Sequence, residues 1–248
     1  MDEKDEKDEK DKKGRPVIFL DWDDTMLSTS AIKAINAALK GHPGLEEWAR
    51  ANLARHEASL IAFLKPLLEN GYVYIVTNAE LGWVEASCKC YMPNVVPYIK
   101  NIPIVSARHL FEATDPHNPT TWKVHAFKYL LSITSPAPSQ VILFGDLKCE
   151  CDALKRAFSE LGLGETTLLK IIKFDEKPSF ERLRLQLDQW AEWMDEFVRS
   201  KENWDHEMTT IVDGIKVSLF HPNIFDFYAA WRMVRKCPSS DSASAEKP

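Results

Sequence analysis

Short apolar runs alternate along this chain with longer stretches in which apolar residues recur every three or four positions. The first run, Val17-Ile18-Phe19-Leu20, has no polar residue in it. A continuous run of that length reads as a strand buried on both faces, as in a parallel sheet. Further strands are expected at Tyr72–Val76, Ile102–Val105, Val141–Phe144 and Leu168–Phe174. Helices are expected between them, at Ala31–Leu39, Leu45–Glu69, Leu81–Cys90, Lys123–Leu131 and Cys151–Leu161. In the second of these, Leu53, Leu60, Leu64, Leu67 and Leu68 recur at helical spacing, Pro66 is a kink point, and Asn70-Gly71 supplies the stop. A last helix, Phe180–Val198, gathers Leu183, Leu187, Trp190, Met194 and Phe197 into one stripe that reads as a docking surface. Strand and helix alternate throughout, which predicts an α/β fold: a doubly wound parallel sheet with helices on both faces, three layers in all.

The ends of the chain follow a different pattern. Residues 1–15 repeat Asp, Glu and Lys with nearly cancelling charge and nothing apolar to bury, so they read as a disordered, solvated tail. Residues 238–248, rich in Ser, Ala and charge, read the same way. The core is expected over residues 16–200. Residues 201–237 are expected as an accessory segment packed on it, with a hairpin turning at Asp213-Gly214 and a final aromatic-rich helix over Ile224–Val234.

Composition narrows the classes. With 248 residues and 45% hydrophobic content the chain can bury one sizeable core. A net charge of −6 and a pI near 5.7 argue against nucleic acid as an obligatory partner. No apolar stretch reaches the roughly 18 residues of a membrane span, and the N-terminal tail has no apolar segment to act as a signal peptide. Five cysteines, an odd number, fit reduced thiols in the cytoplasm, with the nucleus equally open. Cys88/Cys90 and Cys149/Cys151 form two C-x-C pairs that together offer four zinc ligands. Zinc ligands are normally spaced more widely, and ordinary thiols are the favoured reading.

The candidate chemistry lies at strand ends. Asp21, Asp23 and Asp24 crowd together where the first strand stops, and Thr25 follows. Open α/β sheets place their sites outside the carboxyl ends of the strands. Three neighbouring carboxylates repel one another unless something offsets their charge, and a hard cation with oxygen ligands, Mg²⁺ first among them, would do so. Three more pieces occupy comparable places: Thr77-Asn78 after the second strand, Lys123 where a helix begins, and Gly145-Asp146 after the fourth strand, with Glu150 just beyond.

In this order and context the four pieces resemble the motifs of the haloacid dehalogenase-like superfamily of aspartate-nucleophile phosphohydrolases, over about Val17 to Phe174. The resemblance implies a Rossmann-like sheet, Mg²⁺, and a phosphate monoester as substrate. It implies that Asp21 is the nucleophile that becomes an aspartyl-phosphate and that Asp23 is the general acid/base. Mg²⁺ would be held by the Asp21 carboxylate, the Asp23 backbone carbonyl and Asp146. Thr77, with Asn78 beside it, would contact a phosphoryl oxygen, and Lys123 would neutralise the transferring group and steady Asp21. Glu150 would be the outer acid of the last motif, with Asp152 as the other choice, and Thr25 would support the first motif.

Each residue also has a plainer reading. Thr77-Asn78 is a common turn or helix-capping pair. A lysine that begins a helix is usually solvated, and His125 reads as a packed or surface histidine. Arg108 reads as a surface arginine, with a substrate anion as its other possible contact. Trp22 and Trp83 are expected at the site entrance, Trp83 equally well in the core.

Neither Met26–Gly71 nor Asn78–Trp122 has room for a large cap domain. An open site suits a bulky substrate such as a phosphoprotein better than a small metabolite, unless a partner or the C-terminal element supplies a lid. An interaction protein of the same fold with vestigial activity is the alternative. A dehalogenase fits less well, because that chemistry needs no Mg²⁺ and the second acid at Asp23 suits phosphoryl transfer. The pattern says nothing about oligomeric state.

Overall fold

The computed structural model describes residues 14–38 and 43–208. It is an α/β structure built on a single sheet of six strands, all parallel, compatible with a Rossmann-like fold. The strands are β1 (Val17–Leu20), β2 (Tyr72–Thr77), β3 (Ile104–Ser106), β4 (Gln140–Gly145), β5 (Leu168–Lys173) and β6 (Trp204–Glu207). Among the described residues eight α-helices connect them: α1 (Thr29–Ala38), α2 (Pro43–Asn70), α3 (Trp83–Tyr91), α4 (Val96–Ile99), α5 (Ala107–Phe111), α6 (Pro119–Ile133), α7 (Lys148–Glu160) and α8 (Phe180–Arg199).

The strand order is β3-β2-β1-β4-β5-β6. The chain starts in the middle, walks to one edge, then returns to the other side of β1. Order therefore reverses between β1 and β4, the place where sheets of this kind open a crevice at their carboxyl ends. Leu20 lies level with Ile75 of β2 and Phe144 of β4. That register brings the residues just after β1 and β4 side by side, and the Asp21 amide donates to the Phe144 carbonyl at 2.9 Å.

Alternation along each strand divides the interior into two cores. Ile18, Leu20, Ile75, Ile142 and Phe144 face α2, α3 and α8, whereas Val17, Phe19, Val141 and Leu143 face α6 and α7. The expected stripe of α8 is buried in the first core, where Phe144 meets Phe63, Trp190 and Phe197 edge-on at centroid distances of 5.0, 5.6 and 6.0 Å. Helix α2 lies along α8 and runs on through Pro66. The intervals Met26–Gly71 and Asn78–Trp122 are thus spent, among the described residues, on elements of the layers.

Three local features depart from expectation. Gly71 does not stop α2 through a left-handed turn; a side chain there would come within 2.7 Å of Ile18 Cδ1 and 2.8 Å of the Pro16 carbonyl, so close packing selects glycine. The sheet has a sixth strand where an accessory segment was expected to begin. Trp-Asp-His-Glu contains no apolar run, but it alternates half-buried Trp204 and His206 with exposed Asp205 and Glu207, as an edge strand does. Gly14 and Arg15, expected in the tail, are instead tied to the core: Gly14 bridges to the Pro138 segment and Arg15 donates to the Glu69 carbonyl at 2.8 Å. The tails over residues 1–13 and 238–248, the hairpin at Asp213-Gly214 and the helix at Ile224–Val234 lie outside the described residues. No helix among the described residues is long and apolar enough to cross a membrane.

Candidate active site

Asp21 follows β1, Lys123 comes from the second turn of α6, Asp146 follows β4, and Glu150 lies in the first turn of α7. All four are at least nine-tenths buried. The Lys123 ammonium lies between two carboxylates and donates to Asp21 Oδ1 at 2.5 Å and to Glu150 Oε1 at 2.6 Å. It is 1% exposed, so the reading of a solvated lysine at a helix start does not hold. Asp21, Asp146 and Glu150 each bring a carboxylate oxygen within 4.8 Å of the others. The Thr25 hydroxyl lies between two of these acids, 3.3 Å from Asp21 Oδ2 and 3.4 Å from Asp146 Oδ1, and its single proton serves one at a time.

One glycine and one acid shape the backbone here. A Cβ at Gly145 would sit 2.7 Å from Glu150 Oε2, so only glycine leaves room for that carboxylate. Asp24 adopts φ +56°, a left-handed conformation that costs a non-glycine residue about 1 kcal/mol. Its carboxylate offsets the cost by accepting from the Ser30 amide at 2.8 Å and the Ser30 hydroxyl at 2.5 Å, which ties the loop to the start of α1.

The charges do not balance. Three buried carboxylates face one ammonium, and an unpaired buried charge is expensive. Burial, reinforced by Glu150 and opposed by Lys123, pushes the Asp21 carboxyl up to about 7. Burial again, with Asp21 and Glu150 adding repulsion, pushes Asp146 up to about 8. Burial alone would lower the Lys123 pKa, but Asp21 and Glu150 outweigh it and hold the ammonium above its ordinary range. Glu150 Oε2 is buried without a hydrogen-bond partner. An all-oxygen donor set with excess negative charge fits a hard divalent cation such as Mg²⁺, and equally fits others of that class.

The other expected residues fall into two groups. Asp23 lies close enough to this cluster to act on Asp21, and its Oδ1 accepts from Thr29 Oγ1 at 2.6 Å and from Trp83 Nε1 at 3.0 Å. The side-chain group able to hold a cation contains Glu150 where the sequence reading had Asp23, whose expected contribution was its backbone carbonyl. Thr77 ends β2, buried, and its hydroxyl accepts from the Ala79 amide at 3.0 Å. Asn78 donates to the Pro119 carbonyl at 3.2 Å, tying the end of β2 to the start of α6, while its Oδ1 is buried without a partner.

Asp152 is exposed and lines a surface groove with Lys148, Lys155 and Lys173, so Glu150 is the acid that faces Lys123. Trp22 does not line an entrance. It is fully buried and donates to Ser87 Oγ at 2.9 Å. Arg108 pairs on the surface with Glu112 at 3.0 Å and Glu80 at 3.6 Å, and exposed His125 packs on Phe111. Cys88 belongs to one core and Cys151 to the other, on opposite faces of the sheet, which removes the four-cysteine zinc site.

The Trp83–Asp23 contact was not foreseen. The signal available in the sequence was a tryptophan soon after the second motif, which is ambiguous between core and site. Comparison with family models, with curated proteins and with solved structures gives no match to this chain.

Proposed function

We propose that this chain is a Mg²⁺-dependent phosphohydrolase of the haloacid dehalogenase type that cleaves phosphate monoesters through an aspartyl-phosphate on Asp21. The observation that carries the reading is Lys123 buried between Asp21 and Glu150, with Asp146 alongside, at the point where strand order reverses. A structural ion pair has no need of a third buried carboxylate, whereas a site for a cation and an anionic substrate does.

In this reading Asp21 attacks phosphorus, the bond to the ester oxygen breaks, and a proton from Asp23 leaves with the alcohol. Asp23 then takes a proton from water as that water attacks the aspartyl-phosphate, releasing inorganic phosphate and restoring both carboxyl groups. Lys123 offsets the charge of the transferring group and holds Asp21 in place. The Thr77 hydroxyl, which accepts from Ala79, keeps its own proton for a phosphoryl oxygen. Asp21 and Asp146 would hold Mg²⁺, with the Asp23 carbonyl from the adjoining turn and Glu150 behind. When bound, the cation lowers the repulsion between an anionic nucleophile and an anionic phosphate. With both sequence intervals spent on the layers, we favour a substrate that reaches an open site, such as a phosphoprotein, over an enclosed small metabolite.

The test is turnover of para-nitrophenyl phosphate with and without Mg²⁺, wild type beside Asp21→Asn. Activity that requires Mg²⁺ and drops by about 10³-fold or more in Asp21→Asn is expected. Full activity in purified Asp21→Asn protein would refute the assignment. An inactive wild type that also shows no thermal shift with Mg²⁺ and beryllofluoride would favour the interaction-protein reading.

A further inference from the structure

Asp23 is held by two donors that come from distant parts of the chain. Thr29 begins α1, and Trp83 begins α3, directly after Gly82, whose φ of +84° sets the direction in which that helix starts. Both reach the same oxygen, Oδ1, at 2.6 and 3.0 Å; the Thr29 hydroxyl also lies 3.1 Å from the Leu27 carbonyl, and the shorter contact to Asp23 is the favoured one for its single proton. Among the described residues the other oxygen, Oδ2, carries no hydrogen bond. An indole N–H can only donate, so Oδ1 must act as an acceptor whether Asp23 is ionised or protonated. Oδ2 is thus the oxygen left open to a partner in proton transfer.

We propose that Trp83 is a positioning residue that, together with Thr29, fixes the Asp23 carboxyl so that Oδ2 alone exchanges protons with the reacting groups. The proposal rests on the phosphatase reading given above. In the first half-reaction the Oδ2 proton passes to the departing ester oxygen as its bond to phosphorus breaks and the Asp21 bond forms. In the second half-reaction Oδ2 takes back a proton from the attacking water. A carboxyl free to rotate would present the wrong oxygen part of the time, and the penalty would fall on the step that needs the proton most.

That dependence makes the idea separable from a general structural role. An alkoxide leaves poorly without a proton, whereas a dinitrophenolate leaves without one. The quantity kcat/KM reads every step through departure of the first product. Trp83→Phe keeps the ring and removes the N–H. We expect it to lower kcat/KM for ethyl phosphate by about 10- to 100-fold and for 2,4-dinitrophenyl phosphate by less than about threefold. Thr29→Val, which removes the other donor at nearly constant volume, should show the same selectivity and carries the test if the tryptophan variant does not fold.

Equal losses on both esters, or no loss on either, in a wild type that hydrolyses both would overturn the positioning role and leave the phosphatase reading intact. A wild type that hydrolyses neither ester with Mg²⁺ would remove the phosphatase reading, and this inference with it.

Discussion

Glu150 has one oxygen bonded to Lys123 and the other pressed against Gly145. Gly145→Ala has no backbone strain to overcome, yet its methyl must displace the carboxylate. The expected result is a loss of at least about tenfold in Mg²⁺-dependent phosphatase activity with a modest fall in melting temperature, and unchanged activity would show that the Glu150 position is unimportant. Lys123→Met removes the ammonium bonded to Asp21 and Glu150. It should cost about 10²- to 10³-fold in turnover, and in metal-free protein it should also destabilise, since Asp21 and Glu150 would lose their shared partner. Asp21 and Asp146 were legible in the sequence, each after an apolar run, and Thr77, Lys123 and Glu150 were legible only through the resemblance. The direction of Asp23 was not. Two adjacent carboxylates look alike in sequence, and the donors that hold one of them come from Thr29 and Trp83, six and sixty residues away.

Strands were readable where an apolar run carries them, and β6, half-exposed and with charged positions, was missed. β1 and the Val141–Phe144 part of β4 are apolar throughout and lie between other strands, so their runs were unmistakable. β6 is half-exposed, and its charged positions are taken by partners on other elements: Asp205 pairs with Lys155 at 2.8 Å and Glu207 with Lys173 at 2.9 Å. The union of β5 with α8 was equally hidden. Lys170 is fully buried, and its ammonium donates to the carbonyls of Phe197 at 2.5 Å and Ser200 at 2.7 Å, closing the end of α8. Lys170→Met should leave those carbonyls unsatisfied and lower stability by about 2–3 kcal/mol, measured by urea unfolding. A variant as stable as wild type would mean that water replaces the ammonium. The substitution should leave the Mg²⁺ response intact, since the lysine bonds to α8 and not to the acids.

For the whole molecule the excess of buried carboxylate predicts how stability varies with pH. Asp21 and Asp146 rise from the ordinary 3.8 to about 7 and about 8 on folding. Between those values the folded, metal-free protein keeps protons that the unfolded chain has released, so stability falls as pH rises. His56 and His206, whose pKa values burial lowers, act with the opposite sign, but mainly below the ordinary 6.5. Lys170, lowered by burial to about 8, adds stability only above that pH. The window from about pH 6.5 to 8 therefore isolates the carboxylates. In EDTA the melting temperature should decline across it, Asp146→Asn should flatten the decline, and Mg²⁺ should raise the melting temperature more at the alkaline end, where fewer protons compete. A melting temperature that climbs across this window, or ignores Mg²⁺ throughout, would contradict the charge arrangement.

The central place of β1 has a consequence for the protein's synthesis. One flank of β1 is covered by β2, which emerges from the ribosome soon after it, but the other waits for β4, whose first residue is Gln140. Until then an apolar strand stands with a row of unpaired backbone groups, a ready template for another nascent chain. Fragments that stop short of Gln140 should accumulate as aggregates, and fragments that extend past β4 should be the first to appear in the soluble fraction.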